Sequence, residues 1–148
     1  MYRWDMKQFP LVYVDQVMGL VKFIDSMGGR VDSSRLSEMI DVDLDLLPHV
    51  VDAAITLGLL KVENGDLILT ESGKKIIYTD TKNFRILMKK INKNVEPFKD
   101  ILSKQKNNSI ELEDLKRILE NNGYLNIDDA LTVISQWLAL IGITIIEK

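Results

Sequence analysis

Residues 47 to 76, LPHVVDAAITLGLLKVENGDLILTESGKKI, leave this chain few ways to fold. Leu47, Val50, Val51, Ala54, Leu57 and Gly58 recur at helical spacing and share one apolar face. The pattern then changes to short β-type runs on either side of Asn64-Gly65. Asn-Gly supplies the two residues of positive φ that a type I′ hairpin turn requires. Thr70 follows the second run and is placed to cap a further helix through Lys74, Ile76 and Ile77. A buried helix, a tight hairpin and a new helix start, in that order, make the third helix and wing of a winged helix-turn-helix, with Asn64, Gly65 and Asp66 at the wing tip.

The preceding residues supply the rest of such a unit. Val14, Val17, Met18, Val21, Ile24 and Met27 recur at three and four and mark a first helix, which Gly28-Gly29 stops. Ser33 or Ser34 is expected to cap a short second helix with Leu36, Met39 and Ile40 facing inward. Asp43 or Asp45 is expected to cap the third, with Pro48 in its first turn, where a missing N–H costs little. Residues 1 to 9 form an arm carrying Tyr2, Trp4 and Phe9, which packs on its own domain or is swapped in a dimer.

Asp80 closes the unit, and Thr81 starts a helix expected to reach about Asn94. Its inner face is Phe84, Leu87, Met88 and Ile91; on the outer side Lys82, Arg85, Lys89 and Lys93, spaced 3, 4 and 4, form a stripe of cations. After Glu96-Pro97 the first pattern returns. At an offset of 79, Val31, Leu36, Met39 and Ile40 match Ile110, Leu115, Ile118 and Leu119. At an offset of 84, Leu47, Val50, Ala54, Leu57 and Gly58 match Leu131, Ile134, Leu138, Ile141 and Gly142. The expectation is a mainly α protein of tandem winged helix-turn-helix type with a small β wing. The arm spans 1–9, a complete unit 10–80, a basic connecting helix 81–95 and a second, degenerate unit 96–148. In the second unit ITIIEK replaces the first wing strand. A chain of 148 residues buries roughly 70% of its unfolded surface and each half alone only about 60%, so the halves are expected to pack together.

Charge and composition narrow the function. Residues 1–80 hold 8 basic and 13 acidic side chains (−5), residues 81–106 hold 8 and 2 (+6), and residues 107–148 hold 3 and 7 (−4). There is no cysteine, which removes disulfides, thiolate metal sites and thiol nucleophiles. His49 is the single histidine, without a second ligand or a triad partner. Asp41, Asp43 and Asp45 alternate as in a calcium loop, but Leu46 and Asp52 stand where such a loop needs glycine and glutamate; helix capping explains the aspartates. No catalytic residue, cofactor or metal is therefore expected. No apolar run approaches the ~18 residues that span a bilayer and no signal-peptide core begins the chain, so membrane insertion is not expected and a cytoplasmic location is.

Winged helices commonly place the third helix in the DNA major groove. Here residues 41–58 carry Asp41, Asp43, Asp45 and Asp52 with no Lys or Arg, and in the wing Lys61 is balanced by Glu63, so that mode of nucleic-acid binding is disfavoured. Lys74 and Lys75 read as solvated. The basic helix remains as a surface for an acidic protein partner, including the acidic face of a second copy in a homodimer. The alternative is a transcriptional regulator that binds DNA through this helix or the wing.

The runs FPLVYVDQVMGLVKFIDSMGGRVD and LPHVVDAAITLGLLKVENGDLILTESGKKI resemble the AAA-associated C-terminal domain appended to ATP-binding subunits of nitrate, sulfonate and taurine-type ABC transporters. Gly19-Leu20, Gly28-Gly29-Arg30, Leu47-Pro48, Leu57-Gly58, Gly65-Asp66 and Leu69-Thr70 with Gly73 carry the resemblance. No G-x-x-x-x-G-K-[ST] phosphate loop is present, so the resemblance implies an accessory regulatory domain in a stand-alone copy, acting on a separate ATPase subunit, and brings no catalytic residues.

Overall fold

In the computed structural model, which describes residues 8–40 and 43–147, helices dominate and strands are short. Helix α1 (Val14–Ser26) leads through Gly28 and Gly29 into strand β1 (Arg30–Asp32), a 3-10 turn (Ser33–Arg35) and a single-turn helix α2 (Leu36–Met39). Helix α3 (Leu47–Thr56), strands β2 (Leu60–Glu63) and β3 (Asp66–Leu69) and helix α4 (Glu71–Tyr78) follow. The hairpin turns on Asn64 (φ 52°) and Gly65 (φ 80°), the two left-handed residues the sequence required, and pairs Glu63 with Asp66. Strand β1 adds to β3 antiparallel, giving a three-stranded sheet of order β1-β3-β2.

Caps and close contacts explain these elements. The Thr70 hydroxyl accepts from the Gly73 amide at 3.0 Å and donates to the Gly58 carbonyl at 2.6 Å, locking α4 onto the end of α3. Three local expectations need correction. Asp32, not Ser33 or Ser34, caps the turn before α2, its carboxylate accepting from the amide and hydroxyl of Ser34; those bonds hold it below the usual carboxylate range. Helix α3 has no side-chain cap: the Asp43 carboxylate is taken by the Asp45 amide, and the Asp43 carbonyl accepts from Leu46 and Leu47. Met39 is exposed, because a helix of one turn buries only Leu36. Tyr2, Trp4 and Asp41 lie outside the described residues.

Helix α5 (Thr81–Asn92) leads to α6 (Phe98–Lys104), β4 (Ser109–Glu111), α7 (Leu112–Asn121), α8 (Ile127–Ile141) and β5 (Thr144–Ile146). Strands β4 and β5 pair in parallel, Ile110 opposite Ile145. One hydrophobic core runs through both halves. At its centre Phe9, Phe98 and Trp137 meet at ring separations of 5.2, 5.2 and 5.9 Å, and Trp137 Nε1 donates to the Val12 carbonyl at 2.8 Å. The Val14 amide donates to Gln136 Oε1 at 2.8 Å, and the Tyr124 hydroxyl to the Phe9 carbonyl at 2.7 Å. Residues 9–14 thus form a belt clipping α1 to α8. Phe9, the described aromatic of the expected arm, packs within its own chain.

Asn92 is the exception in this core. It is fully buried, and neither its Nδ2 nor its Oδ1 has a hydrogen-bond partner. A buried amide left unpaired costs about 1–3 kcal/mol, whereas a leucine of the same branching has no polar group to satisfy. Asn92→Leu is therefore expected to raise the thermal midpoint by several degrees, about 2–4 °C per kcal/mol at this size. A calorimetric scan showing a lowered midpoint would contradict that.

Candidate interaction surface

Helix α5 is started by Asp80, whose carboxylate accepts from the Asn83 amide at 2.8 Å, and it buries Met88 with Phe84, Leu87 and Ile91 half-buried beside it. With that face fixed against α8 and α4, the 3.6-residue period turns Lys82, Arg85, Lys89 and Lys93 outward. Lys82, Arg85 and Lys93, the last at the helix C-cap, are exposed. Lys89 is half-buried, its Nζ 3.3 Å from Asn108 Oδ1. Among the described residues none of these four cations has an ion pair, so the stripe is solvated and not folded onto the acidic halves. The like-charge steps Lys82–Arg85, Arg85–Lys89 and Lys89–Lys93 each cost a helix about 0.2–0.5 kcal/mol. The helix C-terminal dipole offsets part of this for the last lysines.

Two residues of this face were missed from the sequence. Ile86 is 57% exposed and lies at helical spacing from Lys82, Lys89, Lys90 and Lys93, an apolar centre ringed by cations. Lys90 is exposed and joins the ring. A cleft of about 400–500 Å³ flanks α5 on either side: one, about 460 Å³, is lined by Ile86, Leu102, Gln105, Lys89, Lys90 and Lys93. The other, about 480 Å³, brings Lys75 of α4 to Lys90 and Lys93, with Leu57, Leu87 and Ile91 as its apolar wall. No carboxylate lines either. Lys75 thus belongs to the basic surface, while Lys74 is 3.5 Å from Glu71.

The wing tip is used inside the chain. The Gly65 carbonyl accepts from the Ser33 amide at 3.0 Å and its hydroxyl at 2.7 Å, and Asp66 pairs with Arg30 at 2.6 Å. Asn64 stands exposed at the turn. Lys61 lies 3.4 Å from Glu63, so the wing presents balanced charge.

His49 and Asp52 line a cleft of about 430 Å³ facing Tyr124 and Leu125. Glu96 Oε1 accepts from the Asp100 amide at 3.0 Å at the start of α6; burial, with the neighbouring Asp100 carboxyl, pushes Glu96 above the usual range. Burial pushes the Tyr124 hydroxyl up as well. Among the described residues no His, Cys, Asp and Glu group is arranged to hold a metal, and no helix is long and apolar enough to cross a membrane.

The family model described as the C-terminal AAA-associated domain matches residues 34–146, from the 3-10 turn through β5. The chain belongs to that family. The match takes in α5 and runs from α2 through β5, while α1 and β1, which carry the first of the two resembling runs, lie outside it. No curated protein and no solved structure matches it.

Proposed function

We propose that this AAA-associated domain works by contact, as a non-enzymatic regulatory module that docks on an ATP-binding subunit of an ABC transporter in the cytoplasm. The observation that carries the reading is the α5 face, where cations without ion pairs among the described residues ring an exposed isoleucine, in a domain whose family is tied to ATPases. Apolar contact desolvated inside a charged rim is the usual anatomy of a protein-binding patch. Domain boundaries follow the same reading: an N-terminal arm, a winged-helix unit over 10–80, the connecting helix 81–95 and a second unit over 96–148.

Backbone matches support the tandem reading. Gly28 and Gly29 (φ 92° and 88°) correspond at offset 79 to Asn107 and Asn108 (φ 54° and 59°), and Gly58 (φ 76°) corresponds at offset 84 to Gly142 (φ 85°). Consecutive left-handed residues are uncommon, and asparagine is among the few side chains that tolerate the conformation. Strands β1 and β2 flank β3 antiparallel and so run the same way; β4 and β5, at the corresponding places, pair directly in parallel. The second unit is then a winged-helix unit in which the strands corresponding to β1 and β2 pair directly with each other.

The test titrates an ABC-transporter ATP-binding subunit, and separately a random duplex of about 25 base pairs, into the labelled domain. The comparison is a variant with Lys82, Arg85, Lys89 and Lys93 changed to Gln. The expected result is subunit binding weakened about tenfold or more in the variant, with no duplex binding at physiological salt. Duplex binding that falls with salt at a log–log slope near −3.6, as four phosphate contacts give, and that is lost in the variant would replace this reading with a DNA-binding regulator.

A further inference from the structure

Leu125 is the most exposed apolar side chain among the described residues, at 101%, yet it stands on a fixed loop. Before it, Gly123 and Tyr124 donate their amides to Glu120 and Leu119, and the Tyr124 hydroxyl reaches the Phe9 carbonyl. After it, Asn126 caps α8 by accepting from the Asp129 amide at 3.1 Å. A rigid loop gives up little conformational entropy on binding, so an apolar tip held in solvent is prepared for a partner. Asp128 and Asp129, both exposed, stand beside it in the first turn of α8.

The charges on this chain are sorted unevenly. Glu63, Asp66, Glu71, Glu113 and Asp114 each lie within 4 Å of a cation of their own chain. Among the described residues Asp128 and Asp129 have no such ion pair, as Asp43 and Asp45 beside exposed Leu44 have none, and neither do the cations around Ile86. One loop offers a leucine with two free carboxylates; the α5–α6 cleft offers Ile86 and Leu102 rimmed by Lys89, Lys90 and Lys93.

We infer that the α5–α6 cleft takes the Leu125 loop of a second copy of this chain, with Leu125 against Ile86 and Leu102 and Asp128 and Asp129 facing the lysine rim. Each copy carries both halves of the contact, so a two-fold dimer makes it twice. The inference rests on reading α5 as a protein-docking face. Because an ATPase subunit would use the same face, self-association and docking exclude each other, and the free domain keeps its apolar centre covered until the subunit displaces the second copy.

Sedimentation velocity on the full chain, up to several hundred micromolar, tests it at about 50 mM and 0.5 M salt, where the screening length falls several-fold. The expected result is a dimer whose dissociation constant rises about tenfold or more at high salt, and likewise in Ile86→Ser, Leu125→Ser and Asp128→Asn/Asp129→Asn. The exposed positions of the two serine variants leave folding intact, as circular dichroism would verify, and added ATP-binding subunit should dissociate the dimer. Asp43→Asn/Asp45→Asn, which alters the other acidic loop beside exposed Leu44, should dimerise normally. A chain monomeric throughout, a dimer indifferent to Ile86→Ser and Leu125→Ser, or loss only in the Asp43/Asp45 variant overturns the inference. If the chain is monomeric but the subunit binds and Ile86→Ser weakens it, docking stands and self-association fails; if neither association occurs, both fail.

Discussion

Replacing Trp137 with alanine is expected to destabilise the chain by about 3–5 kcal/mol, the range for deleting a large buried aromatic side chain, and to unfold both halves together. Trp137 is fully buried on α8, but its partners come from elsewhere: Phe9 from the N-terminal belt, Phe98 from α6 and the Val12 carbonyl ahead of α1. Removing the indole opens a cavity between the two halves and leaves that carbonyl without its donor. Trp137→Phe separates the two effects, because it keeps a ring in the cavity and loses the N–H; it should cost about 1–3 kcal/mol, the penalty of an unsatisfied buried acceptor plus some lost packing. Urea denaturation followed by tryptophan-independent probes in each half would check this. Two separated transitions in the parent chain would show that the halves do not share a core.

Gly73→Ala is expected to cost about 2–3 kcal/mol, although an alanine in a helix normally gains up to about 1 kcal/mol over glycine. Gly73 sits in the first turn of α4 directly against the hairpin, and a methyl there would overlap the Leu59 carbonyl oxygen and stand 2.6 Å from Leu69 Cδ1. The carbonyl is backbone at the entry to β2, so it cannot rotate away as a side chain end does. The helix must lift from the hairpin, which also strains the Thr70 cap. A thermal midpoint equal to or above that of the parent would show that α4 packs more loosely than this.

Much of the first half was legible because its signals are local. Helical spacing placed α1 and α3, Asn64-Gly65 placed the turn, Thr70 placed the cap of α4, and Thr81 placed the start of α5, which Asp80 caps. The caps that failed did so where several short polar residues compete: Asp32 ends β1 and reaches the Ser34 amide first, and Asp43 folds a turn of its own before α3. The parallel pairing of β4 with β5 joins segments more than thirty residues apart, and no local pattern chooses that partner. On the candidate surface, the cation spacing on α5 was readable, and so in principle was Ile86, which falls at the same spacing among lysines. What hid it was the inner face: Phe84, Leu87, Met88 and Ile91 already completed the apolar stripe, and Ile86 was given to neither face. Buried Asn92 has no signal of this kind, since its neighbours in sequence are charged and polar on one side and apolar on the other.

On the proposed reading this AAA-associated domain meets an ATP-binding subunit through the α5 face. Site-specific photo-crosslinking tests it most directly, with benzoylphenylalanine placed at Ile86 and, in a second protein, at Val62 on the wing. The two sites are matched in exposure, at 57% and 56%, so accessibility alone cannot separate them. The expected result is a crosslink to the ATP-binding subunit from position 86, lost when Lys82, Arg85, Lys89 and Lys93 are changed to Gln, and none from position 62. A crosslink from position 62 with none from position 86 would contradict it.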